Sequence, residues 1–162
     1  MYNNEMHKKI KRVYIDSSVV YGAPAKEFSQ DSRLFWESFR NGEFILIVSD
    51  VLDAELKRSP AYVRTLFDSV LKFQIERVAS TEESNRLAVL YVSKGVVDET
   101  NLDDCRHIAL ATIHRADAVV SWNFRHMIYR RAGYNDVNKQ LGYPGIEIQS
   151  PKQFMESYHD ET

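Results

Sequence analysis

Residues 101–126, NLDDCRHIALATIHRADAVVSWNFRH, decide the fold. They read as a helix, a tight connection, a buried strand and the start of another helix. Asn101 is a favoured N-cap and Asp104 stands at the capping-box position, so the pattern predicts a helix from about Leu102. Cys105, Ile108, Ala109 and Thr112 recur at helical spacing and form a face that packs on a sheet. Residues 118–121 are a short apolar run rich in Val, bounded by Asp117 and Asn123, as a buried strand is. Asp104 falls in the first helical turn and Asn123 just past the carboxyl end of that strand. Open parallel sheets bind ligands outside the carboxyl ends of their strands, so both side chains are expected at one crevice.

Toward the N-terminus, Val13, Tyr14 and Ile15 run into Asp16-Ser17-Ser18, a strand closed by polar residues. Pro24 marks a turn, and aromatics with Leu34 at helical intervals predict a helix over residues 28–39, closed by Asn41-Gly42. Residues 44–48 are nearly all apolar and predict a second strand, buried on both faces. Ser49 caps a helix over 50–58 with Leu52, Glu55 and Leu56 on its middle turns, and Ser59-Pro60 starts another to about 73. Residues 75–78 are a third strand, and Ser80 with Glu83 forms a capping box for a helix ending at Ser93, before a loop over 96–100. Beyond Asn123 a basic helix is expected to carry Arg125, His126, Arg130 and Arg131, and residues 133–145 read as loop. Residues 146–148 are a last strand, and Ser150-Pro151 opens a terminal helix. Strands alternating with helices predict an α/β fold, a three-layer α/β/α sandwich around a mainly parallel sheet with right-handed crossovers.

Composition is compatible with this. The 162 residues suit one domain over 1–162, with a core at about 12–152 and a polar, basic tail over 1–11. At 44% hydrophobic and 27% charged the chain has the balance of a folded globular protein. No apolar run approaches the roughly 20 residues of a membrane span, so no membrane partner is expected. MYNNEMHKKIKR has no apolar core behind it and does not read as a secretory signal; with a lone cysteine, this points to the cytoplasm. Cys105 lies on the inner face of its helix and reads as a structural thiol. A formal net charge of −2 excludes a nucleic-acid binder driven by bulk charge, but not an enzyme that meets nucleic acid through a local patch.

Asp16, Glu55, Asp104 and Asn123 share a position at strand ends or in the helices just after them. If the first two strands and the 118–121 strand are neighbours, these side chains converge. Three carboxylates together repel unless a cation sits among them, and oxygen-only donors select Mg²⁺ or Mn²⁺ rather than Zn²⁺. The chemistry that follows is metal-assisted phosphodiester hydrolysis. Each acid also has a plainer reading: Asp16 as a turn residue, Glu55 as an exposed helix charge, Asp104 as a cap.

The segments VYIDSS (13–18), SDVLDAEL (49–56), NLDDCRHIALAT (101–112), ADAVVSWNFRH (116–126) and VNKQLGYPGIEIQSP (137–151) resemble, in order and spacing, the motifs of the PIN-domain family, close to its VapC-like ribonuclease branch. The resemblance spans nearly the whole chain. It implies a PIN-like fold and a Mg²⁺- or Mn²⁺-dependent endoribonuclease acting on RNA, in bacteria or archaea commonly a type II toxin neutralised by an antitoxin protein, and commonly a homodimer. It places Asp16, Glu55 and Asp104 as the three acids and Asn123 at a fourth position that is often Asp, where a neutral amide binds a second ion more weakly or through water. It also implies supporting hydroxyls at Ser17 and Ser121. A PIN module that binds RNA or a protein without cutting is the alternative, and retention of the three acids favours catalysis. A phosphatase with Asp16 as nucleophile would want a second Asp where Ser18 stands.

Asp103 points off the Asp104 face by about 100° of helix rotation. Asp117 reads as a turn residue, and Asp50 and Asp53 as a solvated first turn suited to the helix dipole. His107 reads as a buried, hydrogen-bonded histidine rather than a general base. Trp36 belongs to a helix core, and Trp122 to packing beneath the site rather than to a base stack. Arg125, Arg130 and Arg131, with Lys8, Lys9, Lys11 and Arg12, form either an RNA-steering patch or a solvated face and tail. Residues 28–39 or the helices over 51–73 would supply a dimer surface.

Overall fold

The computed structural model describes residues 9–22 and 26–161. Pro24, Lys8 and most of the 1–11 tail lie outside the described residues. The first strand, β1 (Lys11–Ile15), is followed by a short helix α1 (Ser17–Tyr21) and then α2 (Ser29–Arg40). Next come β2 (Phe44–Ser49), α3 (Asp50–Lys57), α4 (Ala61–Val70), β3 (Ile75–Val78) and α5 (Glu82–Ser93). The second half is α6 (Leu102–Ile113), β4 (Ala118–Val120), α7 (Arg131–Gln140), β5 (Glu147–Gln149) and α8 (Pro151–Glu161). The strands form one sheet in the order β3-β2-β1-β4-β5, every pair parallel.

β1 therefore lies between β2 and β4, with Val13 level with both Leu46 and Ala118. The chain leaves β1 toward β2 on one side and returns to β4 on the other, so a topological switch point falls between the carboxyl ends of β1 and β4.

Strand side chains alternate between two cores. Tyr14, Ile47, Val119 and Ile148 pack against Leu87 and Tyr91 of α5, Ile108 of α6 and Tyr134 and Val137 of α7. Val13, Ile15, Leu46, Val48, Ala118 and Val120 face Phe35 of α2, Leu52 of α3, Phe67 of α4 and Phe154 of α8. This period of two is what a strand buried on both faces requires, and it makes the α/β/α sandwich three-layered. At one margin Phe35, Phe44 and Phe154 meet ring to ring at 5.0–5.9 Å. Trp36 is buried in the same core, as its helical phase predicts.

Several local expectations are corrected. The polar end of β1 is not a turn but α1, made helical by burial of Val19 and Val20. The α5 cap is Thr81 with Ser84, one residue on from the Ser80–Glu83 box, because Ser80 instead bonds Asp50. Asn101 makes no cap hydrogen bond; it ends a 3-10 turn capped by Asp98. No helix starts at Asn123: turns and a 3-10 turn (Ile128–Arg130) precede α7, which occupies much of the 133–145 stretch read as loop. Gly133 sits in α7 where a Cβ would come within 3.1 Å of Val96, so its lack of a side chain permits the close approach.

Candidate active site

Asp16 follows β1 at the switch point and its carboxylate is buried, at 4% exposure. Its Oδ1 accepts from Ser18 Oγ at 2.6 Å and its Oδ2 from Ser121 Oγ at 2.7 Å. Those hydroxyls are themselves acceptors: Trp122 N–H donates to Ser18 Oγ (2.8 Å) and Asn123 N–H to Ser121 Oγ (2.9 Å). The ends of β1 and β4 are latched together through one carboxylate. The hydroxyl on Asp16 from its own segment belongs to Ser18, not to Ser17 as the family pattern implies.

Glu55 reaches the same region from α3, and its Oε1 lies 2.6 Å from Nε2 of His107. His107 is buried on α6, with Nδ1 2.6 Å from the hydroxyl of Tyr14 in β1. That hydroxyl is also 2.7 Å from Ser49 Oγ, which accepts from Leu52 N–H as the cap of α3. A closed circuit results: the cap of α3, the centre of β1, α6, and back to α3 at Glu55. Asp104 stands on α6 one turn before His107, with the Asn123 amide against its carboxylate.

The charges act on one another. Burial pushes the Asp16 carboxyl above its ordinary range, opposed by His107 and the two hydroxyl bonds. Burial and then the charge of Asp16 push Asp104 up as well, against His107 and the Asn123 amide. Burial would lower the imidazole of His107, but its hydrogen bond and charge interaction with Glu55, with the fields of Asp16 and Asp104, hold it above the usual value. Asp16 is within electrostatic reach of both Glu55 and Asp104, and His107, hydrogen-bonded to Glu55, opposes the upward shifts of Asp16 and Asp104. The signal for this was present: His107 lies three residues after Asp104, on the same helical face.

Among the described residues no three His, Cys, Asp or Glu side chains are grouped closely enough to hold a metal ion. Glu55 commits one oxygen to His107, and Asn123 Oδ1, the atom that would face an ion, accepts from His126 N–H at 3.0 Å. In kind, the donors suit a hard divalent cation: they are carboxylate oxygens whose charged form is disfavoured by burial and by each other, a cost that a cation removes.

The neighbouring acids have other work. Asp103 Oδ1 accepts from Arg106 at 2.7 Å, Asp117 Oδ2 from Arg12 N–H at 2.8 Å, and Asp53 pairs with Arg77. Asp50 is exposed and bonds Ser80. Cys105 is buried, its thiol pushed up to about 11 by desolvation. Trp122 packs beneath the site, its Nε1–H donating to Ser32 Oγ at 3.0 Å. Beside Glu55 opens a hollow of about 380 Å³ lined by Arg58, Ser80, Asn85, Asp103 and Arg106 among others. Arg125, Arg130 and Arg131 are exposed. No helix among the described residues is long and apolar enough to cross a membrane.

No protein-family model matches the chain, and no curated protein does. Solved structures do. VapBC2 from Rickettsia felis, bound to a DNA fragment from their promoter, superposes with a TM-score of 0.54 at 13% identity, over 86% of this chain and 98% of that one. Mycobacterium tuberculosis VapC20, a sarcin-ricin loop cleaving toxin, gives 0.53 at 10% identity, over 83% and 98%. At such identities the likeness is one of fold.

Proposed function

We infer that this chain, which has the VapC-type PIN-domain fold, is a Mg²⁺- or Mn²⁺-dependent endoribonuclease, the toxin of a type II toxin–antitoxin pair. The observation that supports the reading is the buried carboxylate of Asp16 at the switch point of a parallel sheet, within electrostatic reach of Glu55 and Asp104. Asp16, held by Ser18 and Ser121, and Asp104 would hold the ion; Glu55 would join them through the oxygen not given to His107. Asn123 acts on Asp104 through its amide and fixes the following turn through Oδ1. His107, tied to Tyr14, keeps Glu55 aimed. A bound divalent ion supplies polarisation of a phosphoryl oxygen and a lowered water pKa.

An antitoxin partner and a cytoplasmic site of action belong to the same reading, supported by the fold shared with VapBC2. So does a homodimer, for which exposed Tyr62 and Leu66 on α4 offer apolar surface. A second reading, a PIN module that binds RNA or a protein without cutting, is favoured by the commitment of Glu55 to His107. One experiment separates them: cleavage of generic RNA with Mn²⁺ by wild type and by Asp16→Asn. Cleavage by wild type alone supports the nuclease; equal behaviour of the two proteins rejects it.

A further inference from the structure

The segment after β4 carries a row of rings that the carboxylate chemistry does not use. Phe28 and Trp122 lie 5.2 Å apart, Trp122 and Phe124 6.2 Å, and Phe124 and Tyr129 5.7 Å. Exposure rises along the row, from 5% at Trp122 through a half-buried Phe124 to 75% at Tyr129. The outer ring is on a fixed mount: Tyr129 N–H donates to the Phe124 carbonyl at 2.8 Å, and Met127 and Ile128 N–H both donate to the Asn123 carbonyl at 3.2 Å. The turn that presents Tyr129 is therefore anchored on the residue beside Asp104. The Tyr129 hydroxyl bonds none of the described side chains, and the exposed Arg125 and Arg130 stand in the same turn.

An exposed ring on a hydrogen-bonded turn that also carries exposed arginines suits a single-stranded nucleic acid. Cations track the backbone while bases stack on an aromatic face. A protein-docking patch wants broad apolar area instead, and the exposed residues near Tyr129 in sequence include Arg125, Arg130 and Arg131.

We propose that the Phe124–Tyr129 ring pair is a stacking platform for an unpaired RNA base flanking the scissile phosphate, with Arg125 and Arg130 on the adjoining phosphates. The proposal rests on the nuclease reading of the neighbouring acids and names the form of RNA they would receive. Trp122, assigned to packing from the sequence, is buried and bonded to Ser32; the surface ring is seven residues further on.

The test uses the full chain carrying Asp16→Asn, which leaves RNA uncut, and single-stranded oligoribonucleotides with 2-aminopurine moved one position at a time. Quenching is expected at one or two adjacent positions. Adding Tyr129→Ala should abolish that quenching and weaken binding about 5- to 150-fold, the range a lost base–aromatic stack gives. Tyr129→Phe should retain both, and a duplex of the same sequence should be indifferent to either change. Quenching and affinity unaltered in Tyr129→Ala overturn the platform while leaving the nuclease reading intact, as would loss of an antitoxin partner's binding with RNA binding preserved. Absence of any RNA binding overturns it too, and RNA cleavage by wild type alone, assayed with Mn²⁺, then decides separately whether the nuclease reading survives.

Discussion

Replacing Tyr14 with Phe removes one oxygen from the circuit that aims Glu55, and the structure sets the size of the effect. The ring stays, fully buried, so no cavity opens beyond the hydroxyl itself. Ser49 Oγ loses its bond to Tyr14 but keeps Leu52 N–H. His107 has no such reserve. Its Nε2 is committed to Glu55, and Nδ1, 2.6 Å from the lost hydroxyl, is left without a partner in a residue 1% exposed. This holds for either protonation state, since a neutral ring strands an acceptor and a charged one strands a donor. A buried unsatisfied polar atom costs about 1–3 kcal/mol. At this chain length about 2 kcal/mol corresponds to a fall in Tm of about 4–8 °C. Urea unfolding followed by circular dichroism should show a lower midpoint with an unchanged slope. Tyr14 reaches Glu55 only through His107, so kcat on RNA should fall with little change in KM. Combined with Glu55→Gln, the losses should fall short of additive by about 0.5 kcal/mol or more. A Tyr14→Phe protein within about 0.5 kcal/mol of wild type, and additive with Glu55→Gln, would refute the circuit.

Three further outcomes are expected. Asp104→Asn removes a half-buried charge that repels Asp16, so in EDTA its Tm should equal or exceed that of wild type, while Mn²⁺ should no longer raise it. A lower Tm in EDTA would contradict the repulsion. The Arg12 hydrogen bond holds the Glu76 carboxyl below its ordinary 4.5, so its contribution to stability is present above that pH and lost as pH falls through the folded value. Glu76→Gln should be slightly less stable than wild type at pH 7, the gap small because Glu76 is 39% exposed and closing in acid; a gap constant down to acid unfolding contradicts this. Cys105, with its thiol near pKa 11 and buried, should resist iodoacetamide at pH 8 until urea unfolds the chain; rapid labelling of the folded protein would contradict its placement.

What was legible in the sequence was local. The runs at 13–15 and 44–48 are β-branched, aromatic and apolar, 75–78 has β-branched residues at its ends, and strands lie at all three. Asp16, Glu55 and Asp104 could be singled out because a strand end and a helical phase fix where a side chain stands before any tertiary contact is known. The adjacency of β1, β2 and β4, on which their convergence was conditional, is a property of topology that residue patterns do not supply. Elements that owe their form to distant partners were misread. SSVVY has weak helix propensity, yet α1 forms because Val19 and Val20 fill the core. α7 is rich in Gly, Asn and Asp and read as loop, but Asn135 clamps Ile146 through both its amide groups and Asn138 bonds Tyr91 and Thr112. Polar residues that disfavour a helix in isolation are here the bolts that fix it. Likewise, Ser18 rather than Ser17 meets Asp16 because the chain has already turned into α1.

The account stands on Asp16 and Asp104 taking up one divalent ion between them. Anomalous diffraction from a crystal soaked in Mn²⁺ tests this without recourse to activity. A peak within about 2–2.5 Å of carboxylate oxygens from both residues is the predicted result, with an Asp104→Asn crystal showing none or a much weaker one. A fully loaded soak whose manganese sits elsewhere, with no density between Asp16 and Asp104, would contradict it.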